Sequence, residues 1–413
     1  MKRPFLLVIS VLLLGALVVG LFAGCNGSEA TTTTAAAEAT TTTAASTTTT
    51  ALGNYPDIVY PKMVANSNGG PEFDVEKWKA TAAAEKMLAF MRNSYIYKNE
   101  MDPDLLAYWD ALGMKKELHD ADGDEALKWA SYTPVAALAA DNTAVYPVVF
   151  CFHGAYGSIF GAEGYGIAEL GAKEGYITVC AATHGDKPAD LAGGLTVGVR
   201  VTRILDALEA GGYPIDRGRV YITGQSMGGL ACALGALEFP EVVTAIAMHG
   251  SAMAFNTDAT AKNVQGANMP SIAKSEYTKA LDYSVPVFLE CGDSDMGQLP
   301  LGTEGVITGL NLWLQMNDCP ARLTLADSLA VAAGTSDPAV KLVGVGGDET
   351  WTKTIDGVVY HAVDYLRADG VKMVEIVGVE NCPHWVTAAY PELAWDFMSR
   401  FSKDADGKLI VAQ

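Results

Sequence analysis

RVYITGQSMGG, residues 219–229, is the stretch from which the rest of this 413-residue chain is read. Residues 220–223 are a short apolar run of β type, 224–228 spell Gly-x-Ser-x-Gly, and after Gly229 comes the helical run LACALGALEF. A serine on a sharp strand-to-helix turn needs small neighbours, and Gly224 and Gly228 supply them. Its hydroxyl then stands clear of the sheet. The first amides of the following helix, beginning with Met227, face any negative charge that develops beside it. The pentapeptide alone carries little weight in a chain with 42 glycines; the strand before it and the helix behind it carry the reading. Ser226 is therefore the candidate nucleophile.

Working outward, residues 147–152, PVVFCF, form an unbroken apolar run of the kind found in strands covered on both faces. The run stops at His153-Gly154-Ala155-Tyr156, a turn that places a backbone amide of Ala155 or Tyr156 as a second oxyanion donor. Residues 167–173 read as a helix ending at Gly175, 176–182 as a strand, and Val197, Val201, Ile204, Leu205 and Leu208 recur at helical spacing. Beyond the serine, 242–248 and 286–290 are two more buried strands. Strands spaced by amphipathic helices predict an α/β domain with a mostly parallel sheet and helices on both faces. Ligands of such sheets sit at the carboxyl ends of the strands.

That edge selects the remaining candidates. The strand VFLE ends in Cys291-Gly292-Asp293-Ser294-Asp295; Asp295, deeper in the loop, is the favoured acid and Asp293 the runner-up. With chain order Ser, Asp, His, the base is His361 or His384. His361 lies inside the run 358–365 as a strand residue would. His384 lies in the loop VENCPHW, after the apolar run 371–379 and before a final helix with Leu393, Phe397 and Phe401 on one face. The expected triad is Ser226, His384 and Asp295. His119, His184 and His249 are read as pocket or surface residues, the last two following predicted strands.

The amino terminus tells of location. Lys2 and Arg3 precede an apolar run over 5–19, and small residues follow. This is the pattern of a secretory signal. Ala23 and Gly24 directly before Cys25 resemble a bacterial lipoprotein signal, which implies a signal peptide over 1–24, acylation of Cys25 and a lipid anchor in the bacterial cell membrane; the other reading is an uncleaved anchor. Either places the remainder outside the cytoplasm. Residues 25–52 are Thr/Ala-rich and have nothing large to bury, so they are expected to form a disordered tether.

Residues 53–413 then form the folded domain, with 53–130 an N-terminal extension that begins with helices over 74–92 and 103–113 and a strand over 127–134. A formal charge of -20 argues against nucleic acid as a partner. Of seven cysteines, six remain after Cys25, and three of these, Cys151, Cys180 and Cys232, lie in predicted strands or a buried helix, as free thiols do. No Cys-x-x-Cys or paired-His spacing points to a metal.

With FHGAYGS, AELGAKEGYITV, YPIDRGRVYITGQSMGGLA, CGDSD and ELAWDF in order between residues 147 and 401, the chain resembles the secreted esterase group of the α/β-hydrolases, which includes poly(3-hydroxybutyrate) depolymerases and feruloyl or acetylxylan esterases. The resemblance implies the α/β-hydrolase fold, a serine esterase acting on small or polymer-linked esters through an acyl-enzyme, and no cofactor. The chain departs from the group by an insertion over 256–283, a longer 323–356 and the form of the loop NCPHW. A serine peptidase of the same fold and a non-catalytic surface binding protein are the competing readings.

Overall fold

The computed structural model describes residues 71–93, 103–120, 127–154, 159–182, 196–251, 280–295, 299–320 and 322–412. The export segment 1–24, Cys25, the tether 25–52, Ala155, Tyr156, His184 and most of the insertion over 256–283 lie outside the described residues.

The strands are β1 (Met114–Asp120), β2 (Lys128–Pro134), β3 (Tyr146–Phe152), β4 (Ile177–Ala181), β5 (Ile215–Gln225), β6 (Ala245–His249), β7 (Val287–Gly292), β8 (Glu349–Ile355), β9 (Val358–Leu366) and β10 (Lys372–Val379). They form one sheet in the order β1-β2-β4-β3-β5-β6-β7-β10-β9-β8. From β4 through β10 in that order the strands run parallel. Antiparallel strands flank them on both sides. Helices Ile167–Glu174, Val197–Ala210, Met227–Glu238 and Glu304–Met316 form parts of the connections. The parallel strands are covered, which is why their sequences are continuous rather than alternating: Val148, Val149, Phe150, Cys151 and Phe152 of β3 are all buried. Each large apolar side chain so placed contributes roughly 1.5–3 kcal/mol.

Several expectations are corrected. The helix expected over 74–92 is two, Val75–Lys79 and Ala82–Asn93, because the Thr81 hydroxyl accepts the Ala84 N–H (3.2 Å) and caps a fresh start. β1 was hidden by its charges: in MKKELHD, Lys116 points inward and is buried against Glu163, an ion pair that offsets part of the cost of enclosing the ammonium. The closing helix is Tyr390–Met398 and stops before Phe401, which opens a small hairpin of β11 (Phe401–Lys403) and β12 (Leu409–Val411). The extra length of 323–356 holds helices Leu325–Gly334 and Pro338–Val343 and then β8, the sheet's far edge. Cys151, Cys180, Cys232, Cys291, Cys319 and Cys382 are buried free thiols.

One buried group sets a pH dependence of stability. Both carboxylate oxygens of Glu169, on the helix Ile167–Glu174, are out of solvent without a hydrogen-bond partner, although the residue as a whole is half-buried. Burial pushes its pKa from 4.5 up to about 8. The folded state thus holds this proton where the unfolded chain releases it, so stability falls as pH rises between those two values and is flat above. Glu169→Gln is expected to be more stable than wild type near pH 9 by about 2 kcal/mol after allowance for partial solvation, and so to melt at a higher temperature, with the difference vanishing near pH 4. Thermal melts at the two pH values check it; equal melting differences at both would contradict it.

Candidate active site

Ser226 sits between the last residue of β5 and the first of helix Met227–Glu238, with φ 57° and ψ -117°. This is a conformation side chains avoid, at about 1–3 kcal/mol. The surroundings hold it. Its N–H donates to the His249 carbonyl (2.9 Å), and its carbonyl accepts the Leu230 N–H (3.1 Å). A Cβ on Gly228 would fall on the Phe152 carbonyl of β3, and one on Gly224 would stand 2.5 Å from the Gly228 carbonyl. The motif's glycines are therefore required by backbone contact across β3 and β5. Met227 opens the helix, where amides have no intrahelical acceptor, so its N–H is available to an anion beside the serine.

The turn after β3 approaches the same point. His153 is buried with its ring nitrogens 2.7 and 2.9 Å from the carbonyls of Gly154 and Ala182. The Gly154 N–H donates to the Tyr165 hydroxyl (3.3 Å), which donates in turn to Gln225 Oε1 (3.5 Å). Gly154 is thereby no oxyanion donor, and the next amides, those of Ala155 and Tyr156, lie outside the described residues.

Asp295 and His384 are brought together from two loops. Asp295 is fully buried and its Oδ1 lies 2.7 Å from Nδ1 of His384, whose side chain is 15% exposed. The loops are stitched by the Asp293 N–H to Val379 (2.9 Å), the Ser294 N–H to Cys382 (3.2 Å) and the Cys382 N–H to Asp293 Oδ1 (3.3 Å). Asp293, the runner-up acid, thus holds the backbone of the histidine loop rather than the imidazole. Burial pulls the His384 pKa down, but the charge of Asp295 and its hydrogen bond outweigh this and hold it above the ordinary 6.5.

Both halves meet at Gly250. Ser226 is tied to the carbonyl of His249, the preceding residue, and a Cβ on Gly250 (φ 55°) would stand 3.0 Å from both Asp295 Oδ2 and His384 Nδ1. With Nδ1 committed to Asp295, Nε2 is the nitrogen left for the serine. No hydrogen bond joins the Ser226 hydroxyl to the imidazole among the described residues. Such bonds commonly tighten only with substrate in place.

The other described histidines are held by partners of their own. His361 on β9 spans Thr352 Oγ1 and Glu380 Oε1, each at 2.9 Å. His119 on β1 stacks on Trp129 and bonds the Ser131 hydroxyl at 2.7 Å. His249, at the end of β6, is fully buried with Nδ1 2.9 Å from Glu290 Oε1. The sequence reading missed Glu290. Its signal was a carboxylate at the centre of the otherwise apolar strand VFLECG.

The N-terminal helices reach the site indirectly. Asn381 exchanges two hydrogen bonds with the Asp74 backbone (2.7 and 3.0 Å), and Trp78, Ala83, Ala84 and Met87 pack with Ala388. Residues 74–87 thus back the histidine loop. Among the described residues no group of three or more His, Cys, Asp or Glu is gathered as metal ligands.

The model of the Alpha/beta hydrolase family matches residues 148–395. No curated protein sequence matches this chain. Among solved structures, an acetyl xylan esterase from Aspergillus awamori is similar at 13% identity and TM-score 0.41, over 69% of this chain and 99% of the other. An S-formylglutathione hydrolase from Agrobacterium tumefaciens is similar at 17% and 0.32, over 44% and 76%. An acylaminoacyl peptidase from Pyrococcus horikoshii is similar at 16% and 0.34, over 52% and 37%. At these values none of them bears on the substrate.

Proposed function

Because the chain belongs to the Alpha/beta hydrolase family, we propose that it is a serine esterase, cleaving carboxylic esters through an acyl-enzyme on Ser226. The observation that carries this reading is the buried Asp295–His384 pair, 2.7 Å apart, packed on the glycine that follows the carbonyl holding the Ser226 amide. In this mechanism the serine oxygen attacks the ester carbonyl as Nε2 of His384 takes its proton. Asp295 holds the Nδ1–H tautomer and stabilises the imidazolium. The Met227 amide and that of Ala155 or Tyr156 receive the oxyanion, each donor contributing about 3 to 4 kcal/mol. The imidazolium then protonates the leaving alcohol, and water repeats the sequence on the acyl-enzyme. Every proton is carried by this chain's own groups, and no metal or cofactor is required.

We further propose that the protein is exported, acylated on Cys25 and held at the bacterial membrane by its Thr/Ala-rich tether, since Ala23-Gly24-Cys25 ends an apolar run begun by Lys2 and Arg3. The full chain, extracted in detergent, should hydrolyse p-nitrophenyl acetate and discriminate among acetyl, feruloyl and 3-hydroxybutyrate esters. Its N-terminal peptide should carry an acyl mass on Cys25. Cleavage of short peptides without ester turnover would replace the esterase reading by a peptidase one, and an unacylated mature chain would remove the anchor.

A further inference from the structure

β7 crosses the middle of the sheet as VFLECG, and every residue of it is buried. An apolar side chain would suit the fourth position, yet a carboxylate stands there fully enclosed, which is costly without partners. Glu290 Oε2 has none. Its Oε1 accepts two hydrogen bonds, from His249 Nδ1 (2.9 Å) and from the Thr387 hydroxyl (2.8 Å). Its main-chain carbonyl accepts the Gly250 N–H (2.8 Å).

These partners belong to the two halves of the site. His249 lends its carbonyl to the Ser226 amide, and Gly250 is the surface against which Asp295 and His384 lie. Thr387 lies three residues beyond His384 on the same loop. We infer that Glu290 is a positioning residue, one carboxylate oxygen fixing the loop that carries His384 to His249 at the end of β6, whose carbonyl holds the Ser226 amide. The inference rests on the serine-hydrolase reading above. Two catalytic side chains from separate loops must hold their spacing to a fraction of an ångström, and a shift of about 1 Å costs up to a hundredfold in rate. A core selected for stability alone would do as well with a buried aliphatic side chain.

Thr387→Val isolates the link. Valine has threonine's shape and leaves Glu290 bonded to His249, so the carboxylate is not stripped of its partners. With the full chain, the concentration of active sites is fixed by titration with a fluorophosphonate, and kcat and KM are measured on a p-nitrophenyl ester. The expected result is a fall in kcat of roughly ten- to hundredfold, with KM unchanged, labelling at Ser226 slowed in parallel, the melting temperature kept, and wild-type rates restored in Thr387→Ser. A Val variant with wild-type kcat overturns the inference, as does a loss that Thr387→Ser does not restore or that follows the melting temperature. Failure of the wild-type chain to be labelled at Ser226 overturns the serine-hydrolase reading itself, and this inference with it.

Discussion

Ser226→Ala is expected to lower ester turnover by more than about 10⁵-fold while the protein remains folded. The size follows from the chemistry. Without the hydroxyl there is no acyl-enzyme, and what is left is the oxyanion site acting on a free water. Persistence of the fold follows from the elbow geometry: φ 57° is imposed by the carbonyl of His249 and the glycine contacts with Phe152, and alanine meets the same backbone restraint as serine. Initial rates on a p-nitrophenyl ester, with circular dichroism as the control, read the result. Turnover at the wild-type rate would remove Ser226 from the mechanism.

The second large effect belongs to Asp295→Asn, for which kcat should fall about 10⁴-fold. Asparagine fits the buried site, but its amide can donate to Nδ1 and so favours the tautomer that leaves no lone pair on Nε2 for the serine proton. Charge is lost as well. In the wild type the imidazole is pulled down by burial yet held above 6.5 by Asp295, so the base becomes free only as pH rises through that elevated value. The rising limb of kcat/KM should therefore lie above the ordinary histidine value of 6.5 and move to lower pH in Asp295→Asn. Asp293→Asn should cost less, since Asp293 Oδ1 serves the Cys382 N–H and the Ser294 hydroxyl. A larger loss at Asp293 would reverse the assignment of the acid.

What could be read from the chain before folding was whatever local pattern dictates. The glycines around Ser226 are legible because a backbone contact with β3 forbids any side chain there, and β3 itself because a strand covered on both faces must be apolar throughout. His384 could be chosen over His361 because one follows a strand and the other lies within one. What escaped depended on partners distant in sequence. Lys116 turns inward only because Glu163, 47 residues on, receives it; without that partner MKKELHD looks like a solvated turn. The break at Thr81 is a cap inside a run of good helix formers, and the sheet's far edge lay in 323–356, a segment marked only by its extra length. Glu290 escaped for the same reason as Lys116, its two partners lying on β6 and on the loop after β10, 41 and 97 residues away.

The most direct measurement is the site of a covalent mark. After brief treatment of the full chain with a fluorophosphonate, tandem mass spectrometry of the digest should place the phosphonyl mass on Ser226 alone, with labelling slowed severely in His384→Ala because the base that activates the hydroxyl is gone. A mark on another residue, or none on a folded chain, would contradict the account.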